Sequence, residues 1–98
     1  MELGLKGKVA LVTGSGRGIG YAEAAALGAE GAIVAINDLD ASNAEAACER
    51  LRATGVTTSC FVGDVTNEIF AASMVDRVVT QFGRIDILDG GRRDYAWA

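Results

Sequence analysis

Val9-Ala10-Leu11-Val12 is an unbroken apolar run that ends on Thr13 and then on a ladder of alternate glycines, Gly14, Gly16, Gly18 and Gly20. An alanine-rich stretch with helical spacing follows at once. A short run without a polar residue is what a strand covered on both faces requires. A strand that turns directly into a helix leaves room only for a tight backbone turn, which glycine permits. That turn aims the unpaired first amides of the helix, and the positive end of its dipole, at whatever lies above it. A phosphate is favoured in such a place.

The rest of the chain alternates in the same way. Ile33–Ile36 reads as a second fully apolar strand, ended by Asn37-Asp38-Leu39-Asp40. Ser42-x-x-Glu45 matches a capping box and predicts the start of a second helix. Ala44, Ala47, Cys48 and Leu51 form its buried stripe, and Thr54-Gly55 stops it. A third strand is expected at about Ser59–Val62. A third helix follows, capped by Thr66 or Asn67, packed through Ala71, Met74, Val75, Val78 and Phe82, and closed by Gly83. Ile85–Leu88 is the fourth strand. In the first helix, Gly18–Ala29, the stripe expected to face the sheet is Ile19, Ala22, Ala26 and Ala29. Strand–helix alternation with short links predicts an α/β fold with a doubly wound parallel sheet, βαβαβαβ, of about four strands and three helices. Strand order 3-2-1-4 puts the glycine turn at the point where the winding reverses.

The glycine spacing departs from G-x-G-x-x-G: starting at Gly14, the sixth position is Ile19. Thr13-Gly14-x-x-x-Gly18-x-Gly20 fits instead, and this spacing resembles the short-chain dehydrogenase/reductase family. Gly7-Lys8-Val9 through Gly14 is similar to that family's first strand. Ala29-Glu30-Gly31-Ala32 resembles the approach to its second, Asp64-Val65-Thr66 the end of its third, and Gly83-Arg84-Ile85-Asp86-Ile87-Leu88 its fourth. The resemblance implies a Rossmann-type nicotinamide-cofactor segment over residues 1–88 and an atypical tail over 89–98. It implies a pyrophosphate cradle at Gly14, Gly18 and Gly20, with Ser15, Arg17 and Ile19 lining the dinucleotide. It also implies adenine contacts from the Asp64 side chain and the Val65 backbone.

Asp38 stands 24 positions after Gly14, at the end of the second strand. An acidic residue about twenty positions on is expected to accept hydrogen bonds from the adenosine ribose hydroxyls. A carboxylate there also repels a 2′-phosphate, so NAD is expected over NADP, although Arg17 in the glycine loop pulls the other way. The alternative duty of Asp38 is to help cap the second helix, a task open to Asp40 or Ser42 as well.

Composition removes other classes. The net charge is −4, with Arg92-Arg93 a pair rather than a patch, so a nucleic-acid backbone is not an expected partner. There is no histidine, which excludes histidine-based catalysis and most zinc sites. Half the residues are apolar, yet no stretch reaches membrane-span length and no secretory leader precedes the first strand. A cytoplasmic location is expected, with Cys48 and Cys60 as small buried apolar residues under reducing conditions.

After Leu88 the resemblance fails. Where the family continues with N-N-A-G, this chain reads Asp89-Gly90-Gly91-Arg92-Arg93. The family's chemistry rests on a serine and a Tyr-x-x-x-Lys pair much further along. The residue four beyond Tyr21 is Ala25, and the residue four beyond Tyr95 would fall past Ala98, so no catalytic residue is assigned. The expectation is a truncated or frame-disrupted end that leaves the fourth strand as an open edge and one sheet face poorly covered. The family's substrate and oligomer contacts lie beyond that strand. The first functional expectation is therefore the cofactor half of an NAD(P)-dependent oxidoreductase acting on an alcohol or carbonyl, itself inert. The others are a stand-alone NAD(H)-binding or sensing module and a purely structural α/β domain.

Overall fold

The apolar runs do become strands in the computed structural model, which describes residues 4–90. In chain order the elements are β1 (Val9–Thr13), α1 (Gly18–Ala29), β2 (Ile33–Asp38), α2 (Ala41–Ala53), β3 (Thr58–Val62), α3 (Glu68–Phe82) and β4 (Ile87–Gly90). All strands are parallel in one sheet of order β3-β2-β1-β4. The winding reverses at β1, as expected from the alternation.

Side-chain alternation divides the core into two layers. Val12, Val34 and Ile36 point to one face, where Ala24 of α1 and Ala44, Ala47, Cys48 and Leu51 of α2 cover them. Val9, Leu11, Ala35 and Phe61 point to the other, where Met74 and Val78 of α3 cover them. β1 is buried at every position, which is why its sequence has no polar residue before Thr13. One face thus carries two helices and the other one. Among the described residues no helix is long and apolar enough to cross a membrane.

The expected stripe of α2 is the buried one. That of α3 holds at Ala71, Met74 and Val78, with Val75 and Phe82 half-buried. For α1 the expectation was wrong. Gly20, Ala24 and Gly28 face the sheet, whereas Ile19, Ala22, Ala26 and Ala29 are exposed. In a helix of mostly glycine and alanine, size rather than polarity selects the inner face. Residues without bulk go where the backbones come closest, so hydrophobic periodicity has little to read. At Gly28 an added Cβ would press on the Val56 methyls.

Three local expectations also shift. The Ser42–Glu45 capping box does not start α2. Asp40 is the N-cap, its Oδ1 accepting from the Asn43 N–H at 3.0 Å, and Ser42 lies within the first turn. Asn67, rather than Thr66, caps α3 by accepting from the Phe70 N–H at 3.0 Å. β4 begins at Ile87, two residues later than expected, because Asp86 is engaged at the start of β1. Its N–H donates to the Val9 carbonyl at 2.8 Å and its Oδ2 accepts from the Val9 N–H at 2.8 Å. Both cysteines are free thiols. Cys48 is buried, and burial pushes its thiol pKa up; Cys60 is half-buried rather than buried. Tyr95 and the rest of the tail from residue 91 lie outside the described residues.

Candidate functional site at the carboxyl end of the sheet

Because the strands are parallel, Thr13, Asp38, Val62 and Gly90 all end on one edge of the sheet, where ligands of open α/β sheets bind. The loop from Gly14 to Arg17 crosses that edge and enters α1. Gly14 and Gly18 both have φ of 62°, a left-handed conformation that a side chain would strain. Gly20 serves a different purpose: a Cβ there would run into the Gly14 carbonyl, so the helix can fold back on its own loop only if position 20 is bare.

Arg17 is the N-cap of α1, in an extended conformation, and makes no side-chain capping bond. The amides that open the helix are therefore left without a side-chain acceptor, unlike those of α2 and α3. Nothing lies within 4 Å of where a Gly18 Cβ would stand. Among the described residues the helix start is open, without a side-chain cap and with no atom within 4 Å of a Gly18 Cβ, a geometry that admits a phosphate. Arg17 and Ile19 flank this opening and face solvent, with Ile19 77% exposed. Ser15 does not: its side chain is fully buried, its hydroxyl donating to the Val12 carbonyl at 2.6 Å and accepting from the Asn37 N–H at 3.0 Å. Its N–H is engaged as well, donating to the Asn37 carbonyl at 2.7 Å, so Ser15 shapes the loop from beneath.

Asp38 is half-buried and turned back onto the loop. Its Oδ2 accepts from the Gly16 N–H at 3.0 Å and its Oδ1 from the Asp40 N–H at 3.0 Å. The carboxylate is held within hydrogen-bond reach of the glycine loop, and each oxygen keeps a further lone pair. It does not cap α2; Asp40 does. Gly16, which the spacing left as a variable position, makes this approach possible, since a Cβ there would lie 2.6 Å from Asp38 Oδ2.

Asp64 and Val65 follow β3 on the same edge. Asp64 is exposed and its Oδ1 accepts from the Thr66 N–H at 2.9 Å and the Thr66 hydroxyl at 2.6 Å. The Val65 side chain is buried in the α3-side core, so only its backbone faces the edge's surroundings. The residues picked from the sequence thus fall on one edge. Asp38 is tied to the loop directly through the Gly16 N–H and Gly14 through the neighbouring Asn37 side chain, whereas Asp64 and Val65 join through Gly63, whose N–H donates to the Asp38 carbonyl at 3.0 Å.

Asn37 is the residue that sequence reasoning missed. It is 2% exposed, and its side chain bonds three backbone groups in two segments. Oδ1 accepts from the Gly14 N–H at 3.2 Å, and Nδ2 donates to the carbonyls of Phe61 at 3.0 Å and Gly63 at 3.2 Å. Its backbone carbonyl accepts from the Ser15 N–H at 2.7 Å. An amide has both a donor and an acceptor end, and here each end is used. The one available signal was an amide directly after four apolar strand residues. It becomes readable only once β2 is known to run through Asp38 with β3 beside it. Thr13, by contrast, is fully buried with an Oγ1 that meets no partner among the described residues. Those residues also hold no cluster of His, Cys, Asp or Glu fit to bind a metal.

Comparison with known proteins agrees with this geometry. A D-threitol dehydrogenase from Mycolicibacterium smegmatis is 44% identical over 84 residues, covering 86% of this chain and 32% of that protein. The crystal structure of an NAD+-bound xylitol dehydrogenase superimposes with a TM-score of 0.84 at 42% identity, over 87% of this chain and 33% of that one. A metagenomic short-chain oxidoreductase in complex with NADP gives a TM-score of 0.81 at 34% identity, over 86% and 38%. The chain spans 32% to 38% of the length of the curated relatives it matches. The model of the short chain dehydrogenase family matches residues 8–90, and the chain belongs to that family.

Proposed function

We propose that this chain binds the ADP part of a nicotinamide dinucleotide at the carboxyl end of its sheet, as the cofactor portion of an oxidoreductase acting on an alcohol or carbonyl. One observation carries the reading: α1 starts with no side-chain cap and open space over Gly18. The amides that open α1, from Gly18 to Gly20, would hold the pyrophosphate, with Gly14 and Ser15 lining and shaping the loop beneath it. Arg17 and Ile19 would border it. Asp38 would accept from the adenosine ribose hydroxyls, and Asp64 and the Val65 backbone would border the adenine. The residues present fit such a group, because the amides that open α1 have no side-chain acceptor and a carboxylate stands beside the loop.

Asp38 favours NAD over NADP, since a 2′-phosphate would bring negative charge against a carboxylate already fixed by the Gly16 and Asp40 N–H groups. Relatives of both kinds are known, one bound to NAD+ and one to NADP. When bound, the nicotinamide accepts or supplies hydride. The chain's own part is to bind and orient. No Tyr-x-x-x-Lys occurs in the 98 residues, so this chain alone has no proton-transfer pair to complete the reaction. A second reading, a dinucleotide-binding module without chemistry, rests on that same lack.

Calorimetric titration with NAD+ and NADP+ tests the proposal. NAD+ should bind and raise the melting temperature, NADP+ should bind more weakly, and Asp38→Ser should narrow the gap. Gly18→Val, at a positive φ and in the open space, should abolish both. No binding of either dinucleotide at millimolar concentration by the folded chain would sink the reading. NAD+-dependent alcohol oxidation by the purified chain would overturn its inertness and the binding-module reading together.

A further inference from the structure

Asn37 is a buried amide with no place in the binding reading above, yet it is the sole side chain among the described residues bonded to both the glycine loop and the end of β3. Its neighbours explain why an amide stands there. Gly14 N–H points down from the loop, while Phe61 and Gly63 present carbonyls from the next strand. An acceptor is needed on one side and two donors on the other, at a position closed to water. A carboxylate would face two carbonyls, and an aliphatic residue would leave three backbone groups without this partner. Ser15 locks the arrangement from beneath, through its N–H to the Asn37 carbonyl and its hydroxyl at the Asn37 N–H.

We infer that Asn37 is a positioning residue for dinucleotide binding, fixing the phosphate loop and the Gly63-Asp64-Val65 turn in a single frame before a ligand arrives. The inference rests on the nucleotide reading. A loop and a turn held separately would each have to be ordered on binding; held by one amide, they meet the pyrophosphate and adenine ends with that ordering already done. Asn37 touches no ligand in this scheme and acts through Gly14 and Gly63.

The test uses the 98-residue chain and its Asn37→Ala, Asn37→Ser and Asn37→Asp variants, titrated with NAD+ at low temperature on samples shown folded by far-ultraviolet circular dichroism. Folded variants should bind NAD+ about tenfold more weakly at neutral pH. The Asn37→Asp deficit should shrink as pH falls, because a protonated carboxyl regains one donor toward the β3 carbonyls, whereas the Asn37→Ala deficit should stay flat. A residue of purely structural importance would lower stability without that difference in pH profile. Amide NMR of the unliganded chain supplies a readout independent of affinity: in every variant the Gly14 and Asp64 resonances should shift together. If the unsubstituted chain binds and folded variants bind NAD+ within twofold of it, the positioning role is overturned and the nucleotide reading stands. If the unsubstituted chain binds no NAD+, the nucleotide reading falls, and the positioning role falls with it.

Discussion

Asn37 and Thr13 lie on neighbouring strands at the same end of the sheet, both closed off from water, and their polar atoms are treated differently. Each end of the Asn37 amide is met, by Gly14 on one side and by Phe61 and Gly63 on the other. The Thr13 hydroxyl meets nothing among the described residues. The residue paired with Thr13 across β4 is Gly90, which brings no side chain. Among the described residues, the β2–β3 side of the edge has its polar groups matched, and the β4 side does not. A buried polar group left unmatched costs about 1–3 kcal/mol, so the two sides contribute with opposite sign to the stability of the same edge.

The largest effect should come from removing the frame that both sides share. Gly20→Val would force a side chain against the Gly14 carbonyl, a backbone atom that cannot rotate away. Lifting α1 off its loop should cost upwards of about 3 kcal/mol, a large fraction of the stability of a small domain. A urea titration followed by circular dichroism checks it. A midpoint within error of the unsubstituted chain would mean that the loop does not depend on close approach and that the two sides are not joined through it.

Next is Asn37→Leu, which keeps the branched outline, with somewhat more bulk, and removes both bonding ends. The loss of a buried amide with three backbone partners should cost about 2–3 kcal/mol. Thr13→Val should do the reverse. The shape is kept, the orphaned hydroxyl is gone, and the chain should gain about 1 kcal/mol. Paired urea melts of the two variants give the comparison directly. Opposite signs uphold it; destabilisation by Thr13→Val would show that the hydroxyl has a partner after all and that the β4 side is complete.

The contrast also explains what could be read from the sequence. The parallel sheet, its order and the stripes of α2 and α3 were legible because they rest on polarity patterns of long segments, where Ala44, Ala47, Cys48 and Leu51 differ plainly from their neighbours. The inner face of α1 was not, since Gly20, Ala24 and Gly28 are chosen for small size and Ala22 and Ala26 look the same to a hydropathy rule. Asp38 could be found by counting from Gly14. Asn37 could not, because its importance lies in pairing with Phe61 and Gly63, residues 24 and 26 positions away and adjacent only through the β2–β3 register. Asp40 stood beside Ser42 as a possible cap of α2, and Ser42 with Glu45 imitated a capping box two residues too late.

The smallest expected effect separates the two sides by pH. The β3 side is held by a neutral amide that does not titrate, whereas the start of β4 is held by Asp86, whose carboxylate accepts from the Val9 N–H and pairs with Arg84 at 2.7 Å. The Val9 N–H, and then Arg84, hold the Asp86 carboxyl below the usual carboxylate range. A depressed folded-state pKa means that this contribution is present above the unfolded value of about 3.9 and is lost as pH falls through the lower folded value. Acid should therefore loosen β4 before it loosens the junction of β2 and β3. Hydrogen exchange read amide by amide between mildly acidic and strongly acidic solution checks this. The Ile87 to Asp89 amides should lose protection first, and Asp86→Asn should make their protection independent of pH over that range. Simultaneous loss at Phe61 and Leu88 would show that the sheet opens as one unit, and the difference between its two sides would then be one of bonding only, without a counterpart in local stability.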